Sequence, residues 1–262
     1  GSGKSRLLYE LRRRLALEGA VFFEGRCSSI SRAAPYHPFL TMFRQYFDLV
    51  PGEPQALSCE KVSAKVGVRY TDLETMYPLL GRFLSFTGGG STDLPTSELK
   101  QESFDALARL VLAEADRAPV VIVLEDLHWV DEPSRELLES LTLRLVAAPV
   151  LIVVSQRPEG YVTWRTRGTF AQITLPRLTD DNVTAILRAI AGGPLPRELE
   201  QRLVTKAEGS PFFAEEITRG LLEEGSLVQE ADGCRLTRPV EEIPIPGTVQ
   251  EVLAARLDRL EA

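Results

Sequence analysis

Apolar residues recur along this chain at two spacings, and the alternation between them predicts its elements. Residues 6–17 carry Leu7, Leu11 and Leu15 at four-residue intervals, a helical repeat that Gly19 stops. Residues 21–27 have strand composition. Helical spacing returns over residues 39–49, just after Pro38. Residues 51–98 are poorly patterned, and Gly88 to Thr92 reads as a flexible loop. The next helix, over residues 97–116, sets Phe104, Leu107, Val111 and Ala115 on one face before Pro119 breaks it. Residues 120–124 form an unbroken apolar run, the pattern of a strand covered on both faces. A helix over 136–145 follows, Pro149 breaks the pattern again, and residues 150–154 and 172–178 read as two further buried strands. Strands alternating with helices predict an α/β fold with a parallel sheet and helices on both faces.

The pattern changes after Leu178. Thr179-Asp180-Asp181 caps a helix reaching about residue 190, and residues 197–207 and 212–223 predict two more. This all-helical stretch reads as a separate small domain. Leu227-Val228 and Cys234-Arg235-Leu236, split by Asp232-Gly233, predict a hairpin, and residues 248–260 a final helix. There is no internal repeat.

Composition narrows the classes. Apolar residues are 44% and charged residues 26%, which excludes a disordered chain. A net charge of −7 excludes a globally basic nucleic-acid coat, and Arg12-Arg13-Arg14 is too short a run to act as a nucleic-acid footprint. No apolar run approaches the roughly 20 residues of a membrane span, and no signal peptide is evident. Cys27, Cys59 and Cys234 stand far apart without metal or redox spacing and read as free thiols of a reducing, cytoplasmic compartment. With Gly1 where an initiator methionine would stand, the chain reads as a fragment cut within a motif.

That motif is chemical. Gly3-Lys4-Ser5 matches the end of the phosphate-binding pattern G-x-x-x-x-G-K-S/T. Glycines let backbone N–H groups approach phosphate oxygens, and a helix beginning near Lys4 points its positive dipole end at them. Lys4 would reach the outer phosphates and the Ser5 hydroxyl would ligate Mg²⁺. Further along, residues 120–124 end in Glu125-Asp126. In a phosphate-loop fold, an acid at such a strand end holds Mg²⁺, and an adjacent acid orients the attacking water. The bland reading is that two acids mark where a strand exits to solvent.

With its surroundings, this acid pair carries a family resemblance. Leu124-Glu125-Asp126-Leu127-His128-Trp129-Val130-Asp131 resembles the Walker B segment of the STAND class of AAA-like phosphate-loop ATPases, found in large LuxR-type regulators and beside class III adenylyl cyclase domains. Gly25-Arg26-Cys27 with Pro35-Tyr36-His37-Pro38-Phe39 resembles the stretch after the family's second strand. Val153-Val154-Ser155-Gln156-Arg157 is similar to its sensor strand, and Gly209-Ser210-Pro211-Phe212 to its lid motif. Ile245-Pro246-Gly247-Thr248 resembles the entry to a winged-helix segment. The resemblance implies a phosphate-loop core over residues 1–178, a helical lid over 179–224, and a hairpin with the start of a winged helix over 225–262.

It also implies roles. Gly1, Ser2, Gly3, Lys4, Ser5 and Arg6 would bind nucleotide, and Pro211 would lie against its base or sugar. Ser5 and Glu125 would hold Mg²⁺, with Asp126 an alternative ligand. Lys4, Glu125, Asp126 and Arg157 would serve hydrolysis, Arg157 sensing the γ-phosphate. The implied function is ATP binding with slow hydrolysis, used as a conformational switch. ATP and ADP, output and sensor domains of the same chain, and nucleotide-dependent self-association are the implied partners, with no membrane and no direct nucleic-acid contact. A scaffold with little hydrolysis and a ring-forming mechanical ATPase remain as alternatives. His128 and Trp129 read as packing residues, and Asp131, before Glu132-Pro133-Ser134, as a helix cap.

Overall fold

A computed structural model describes residues 2–67, 73–84, 97–157, 170–230, 232–246, 248 and 251. The chain divides into two compact units, Leu8–Ala171 on the one hand and Gly1–Leu7 with Gln172–Ala262 on the other.

In the first unit a parallel sheet runs β1 (Val21–Arg26), β2 (Val120–Glu125) and β3 (Val150–Val154), in that spatial order. Val21 pairs with Val120 and Val120 with Val150, so the strand ends are level and Arg26 stands beside Glu125. All five apolar residues of β2 are buried, as an unbroken apolar run predicts for a central strand. Strand β3 is half-buried rather than buried, with Leu151 49% exposed, because it has a sheet neighbour on one side only among the described residues. The sequence-based strand over residues 172–178 is not formed. That stretch is irregular and largely exposed, with Ile173 at 77%. A strand needs a ladder partner, and here Leu178 N–H instead donates to the Gly209 carbonyl at 2.9 Å.

Helix α1 (Lys4–Leu17) begins in one unit and ends in the other. It buries no residue fully. Leu8, Leu11 and Leu15 are half-buried while Leu7 is exposed, so the contact stripe follows i, i+3, i+7 instead of a strict repeat of four. Helix α2 (His37–Tyr46) lies against β1, where Phe23 stacks on Tyr46 with ring centroids 4.8 Å apart. The poorly patterned stretch holds α3 (Gln55–Gly67) and α4 (Leu73–Phe83), which place Val62, Val66, Met76, Leu80 and Leu84 in the same core as Phe39, Leu107 and Ile122. Helices α5 (Ser97–Ala115) and α6 (Glu132–Arg144) complete it, α6 starting four residues before the sequence pattern suggested.

In the second unit α7 (Asp180–Ala191), α8 (Arg197–Ala207) and α9 (Pro211–Glu223) share a core of Val183, Leu187, Leu203 and Ile217. Thr179 caps α7 through Asn182 N–H, and Gly192 ends it in the left-handed conformation. Strands β4 (Leu227–Glu230) and β5 (Gly233–Leu236) form the expected antiparallel hairpin. Of the expected helix over 248–260 only residues 248 and 251 are described, and the Gly88 to Thr92 loop lies outside the described residues. No described helix is long and apolar enough to cross a membrane.

Candidate functional site

Strand β2 delivers its two acids to the carboxyl end of the sheet, where ligands bind in open parallel sheets. Glu125 is the last strand residue and half-buried. Asp126 leaves the strand in the left-handed region, φ 55° and ψ 42°, a conformation few residues other than Gly, Asn and Asp adopt without cost. Strand β3 fixes that turn. Ser155 Oγ accepts from Asp126 N–H at 3.1 Å, Ser155 C=O accepts from Leu127 N–H at 2.8 Å, and Ser155 N–H donates to Leu124 C=O at 2.9 Å. Ser155 is 8% exposed, so this scaffold is sheltered from water.

Strand β1 adds a cation. Arg26 Nη2 and Nε donate to Asp126 Oδ2 at 3.2 and 3.3 Å. The resemblance carried by Gly25-Arg26-Cys27 assigns Arg26 no task. The level register of β1 and β2 is what carries its guanidinium to the acid pair. Gly25 is needed beside it, because a Cβ there would come within 2.6 Å of the Pro38 carbonyl oxygen.

Arg157 is exposed, three residues past the end of β3, and forms no ion pair among the described residues. His128 packs on Trp129 with centroids 5.2 Å apart, and Asp131 caps α6. Asp131 also binds the loop before α2. Its Oδ1 accepts from Ser134 N–H at 2.9 Å and Tyr36 N–H at 3.3 Å, and its Oδ2 accepts from Ser134 Oγ at 2.6 Å. Neighbouring Cys27 is 2% exposed, and burial, aided by the charges of Asp131 and Asp126, pushes its thiol up to about 12. Such a thiol is inert at neutral pH.

The phosphate-loop remnant belongs to the other unit. Gly3 has φ +85°, and a Cβ built on it would lie 3.8 Å from Cγ of Pro211. Pro211 opens α9, whose cap Ser210 accepts from Phe213 N–H. The structure therefore places Gly3 close to Pro211, 208 residues away in the chain. Lys4 Nζ donates to Ser2 Oγ at 3.2 Å, and Ser5 and Arg6 lie in the first turn of α1. Gly1 lies outside the described residues.

No cluster of three His, Cys, Asp or Glu occurs among the described residues. The acid pair offers two adjacent carboxylates, too few for a Ca²⁺ or Zn²⁺ cage. It suits Mg²⁺, which takes one or two carboxylates and completes its shell with water and phosphate oxygens.

A parallel sheet buried between helices, with carboxylates at the end of its central strand, is consistent with a phosphate-loop nucleotidase core. Residues 1–153 match the AAA ATPase domain family, and the chain belongs to that family of nucleotide-binding ATPases. It is also similar to an uncharacterized protein, R02095, of Rhizobium meliloti (strain 1021), with 25% identity over 99% of this chain. The chain spans about a quarter of that relative's length. No solved structure matches.

Proposed function

We propose that the chain is the ATP-driven switch module of a larger cytoplasmic signalling protein, of the STAND type found in LuxR-family regulators and beside adenylyl cyclase domains. The observation that carries it is the acid pair at the end of β2, with Asp126 held in a left-handed turn by Ser155. The family match over residues 1–153 and the much longer relative support it.

In this reading ATP is bound and slowly hydrolysed. Ser2, Gly3, Arg6 and, ahead of them, Gly1 offer backbone N–H groups to phosphate oxygens, and Lys4 adds a point charge. Ser5 and Glu125 hold Mg²⁺, which supplies charge neutralisation when bound. Asp126 orients the water, its backbone turn held by Ser155. Arg157 distinguishes ATP from ADP by pairing with γ-phosphate oxygens, and Pro211 packs on base or sugar. The helices from α7 onward act as the lid that reports the nucleotide to sensor and output domains, and residues 225–262 begin a winged helix.

One observation favours the scaffold reading as a second possibility. Arg26 already occupies Asp126, and an acid tied up this way polarises water poorly. Both readings require binding. Titration of the full-length protein with ATP and ADP tests them together. Wild type should bind both, and Lys4→Ala should lose ATP affinity by tenfold or more while its circular dichroism is unchanged. A folded Lys4→Ala protein that binds ATP as wild type does would contradict the phosphate-loop role.

A further inference from the structure

A cleft of about 410 Å³ opens where β1 begins, at the amino end of the sheet and away from the acid pair. Among the described residues, strand β1 is an edge strand. Val21 N–H bonds Pro119 C=O at 2.9 Å and Cys27 N–H bonds Glu125 C=O at 2.9 Å, so the odd-numbered residues face β2. By the two-residue period of a strand, the N–H and C=O groups of Phe22 and Glu24 face outward. Both residues line the cleft, and among the described residues neither backbone has a ladder partner.

The charged side chains around these groups are already engaged with one another. Arg12 pairs with Glu24 at 3.1 Å. Lys65 bonds the Tyr46 carbonyl and lies 3.4 Å from Asp48 Oδ2, with its Nζ 4.4 Å from the Tyr46 ring centre. Glu114, 4% exposed, accepts from the Tyr46 hydroxyl at 2.7 Å. A small anion or cation would have to break these pairs. What the cleft offers freely is a backbone edge with donors and acceptors repeating at about 6.6 Å. Its apolar floor is Val21, Phe22 and Met42.

We propose that this cleft binds an extended segment of a partner protein, which adds as an outer strand beside Phe22–Glu24. Main-chain hydrogen bonds supply the affinity, and alternate side chains rest on Phe22 and on Met42. Glu24, Asp48 and Glu114 against Arg12 and Lys65 leave one excess negative charge, so the segment that fits is neutral or basic. The site lies at the opposite end of β1 from Arg26, so it joins partner binding to the strand whose other end meets Asp126.

The test uses the full-length protein and a blocked hexapeptide of alternating valine and lysine, labelled for anisotropy. Hydrogen exchange read by mass spectrometry over residues 21–26 should slow at least tenfold with peptide, and a fully N-methylated peptide should give no protection. Phe22→Pro removes an outward N–H while sparing the ladder to β2, and Gln45→Trp fills the cleft from α2. Each should raise the peptide Kd at least tenfold. No protection at millimolar peptide, equal protection by the N-methylated peptide, or an unchanged Kd in both variants overturns the proposal. So does protection that rises with protein concentration in the absence of peptide, which would make a second copy of the chain the occupant.

Discussion

Arg26 illustrates how a single side chain sets the state of a site. It is 73% exposed, so its pair with Asp126 adds little to stability, but it fixes where that carboxylate points. Arg26→Ala should raise basal phosphate release several-fold and leave ATP affinity nearly unchanged; a loss of ATP affinity would instead make Arg26 a ligand of the nucleotide. Gly25 tolerates no Cβ, because the atom it would meet is backbone. Gly25→Ala should cost about 1–3 kcal/mol and lower the melting temperature by several degrees, and unchanged melting would contradict the close approach. Burial raises both the Cys27 thiol, from 9.0 to about 12, and the Tyr36 hydroxyl, from 10.0 to about 12. For Tyr36 the charges of Glu136 and Asp131 add to the effect of burial. The fold prefers both groups neutral, so their contribution is whole below pH 9 and is lost as pH rises towards 12. Urea midpoints should fall over that window, and the Cys27→Ala, Tyr36→Phe double variant should fall less steeply. Equal declines would assign alkaline unfolding to other groups. At this scale the acid pair was legible, because a buried apolar run ending in two carboxylates is a local pattern. Arg26 and Ser155 were not, because strand register brings them in across 100 and 29 residues.

Among elements, Asp131 joins two pieces of chain. It caps α6 and holds the loop before α2 through Tyr36 N–H, all at 8% exposure. Asp131→Ala removes the cap and leaves buried donors unmet, a cost of about 1–3 kcal/mol. Asp131→Asn keeps an acceptor and should recover most of it. Thermal melts that rank the two variants equally would contradict the cap. The cap was readable from Asp131-Glu132-Pro133-Ser134, as were α7 and α8, where Thr179 and a clean apolar period mark the elements. Helices α3 and α4 were not. Pro78 sits inside α4, and the polar Glu60, Lys61, Ser63 and Lys65 stand between or beside the buried Val62 and Val66 of α3. The stretch over 172–178 failed in the opposite direction. Its composition suits a strand, but no edge among the described residues pairs with it, and pairing is what composition cannot report.

For the whole molecule, family membership and a parallel α/β core were both legible, since several motifs stand in order along the chain. Function beyond that core was not, because the chain spans about a quarter of the relative's length. If the module is a switch, Arg157→Ala should flatten the ratio of ATP to ADP affinity more than it lowers ADP affinity, since a ligand shifts an equilibrium only by its differential affinity. Equal weakening of both nucleotides, measured by titration, would move the switch elsewhere. The central claim is that Glu125 and Asp126 serve ATP chemistry and do not merely mark a strand end. Phosphate release by the full-length protein, with Mg²⁺ and saturating ATP, tests it most directly. Asp126→Asn should slow release at least tenfold with ATP still bound, and Glu125→Gln should weaken the Mg²⁺ dependence of binding. Hydrolysis at the wild-type rate by both variants would contradict the account.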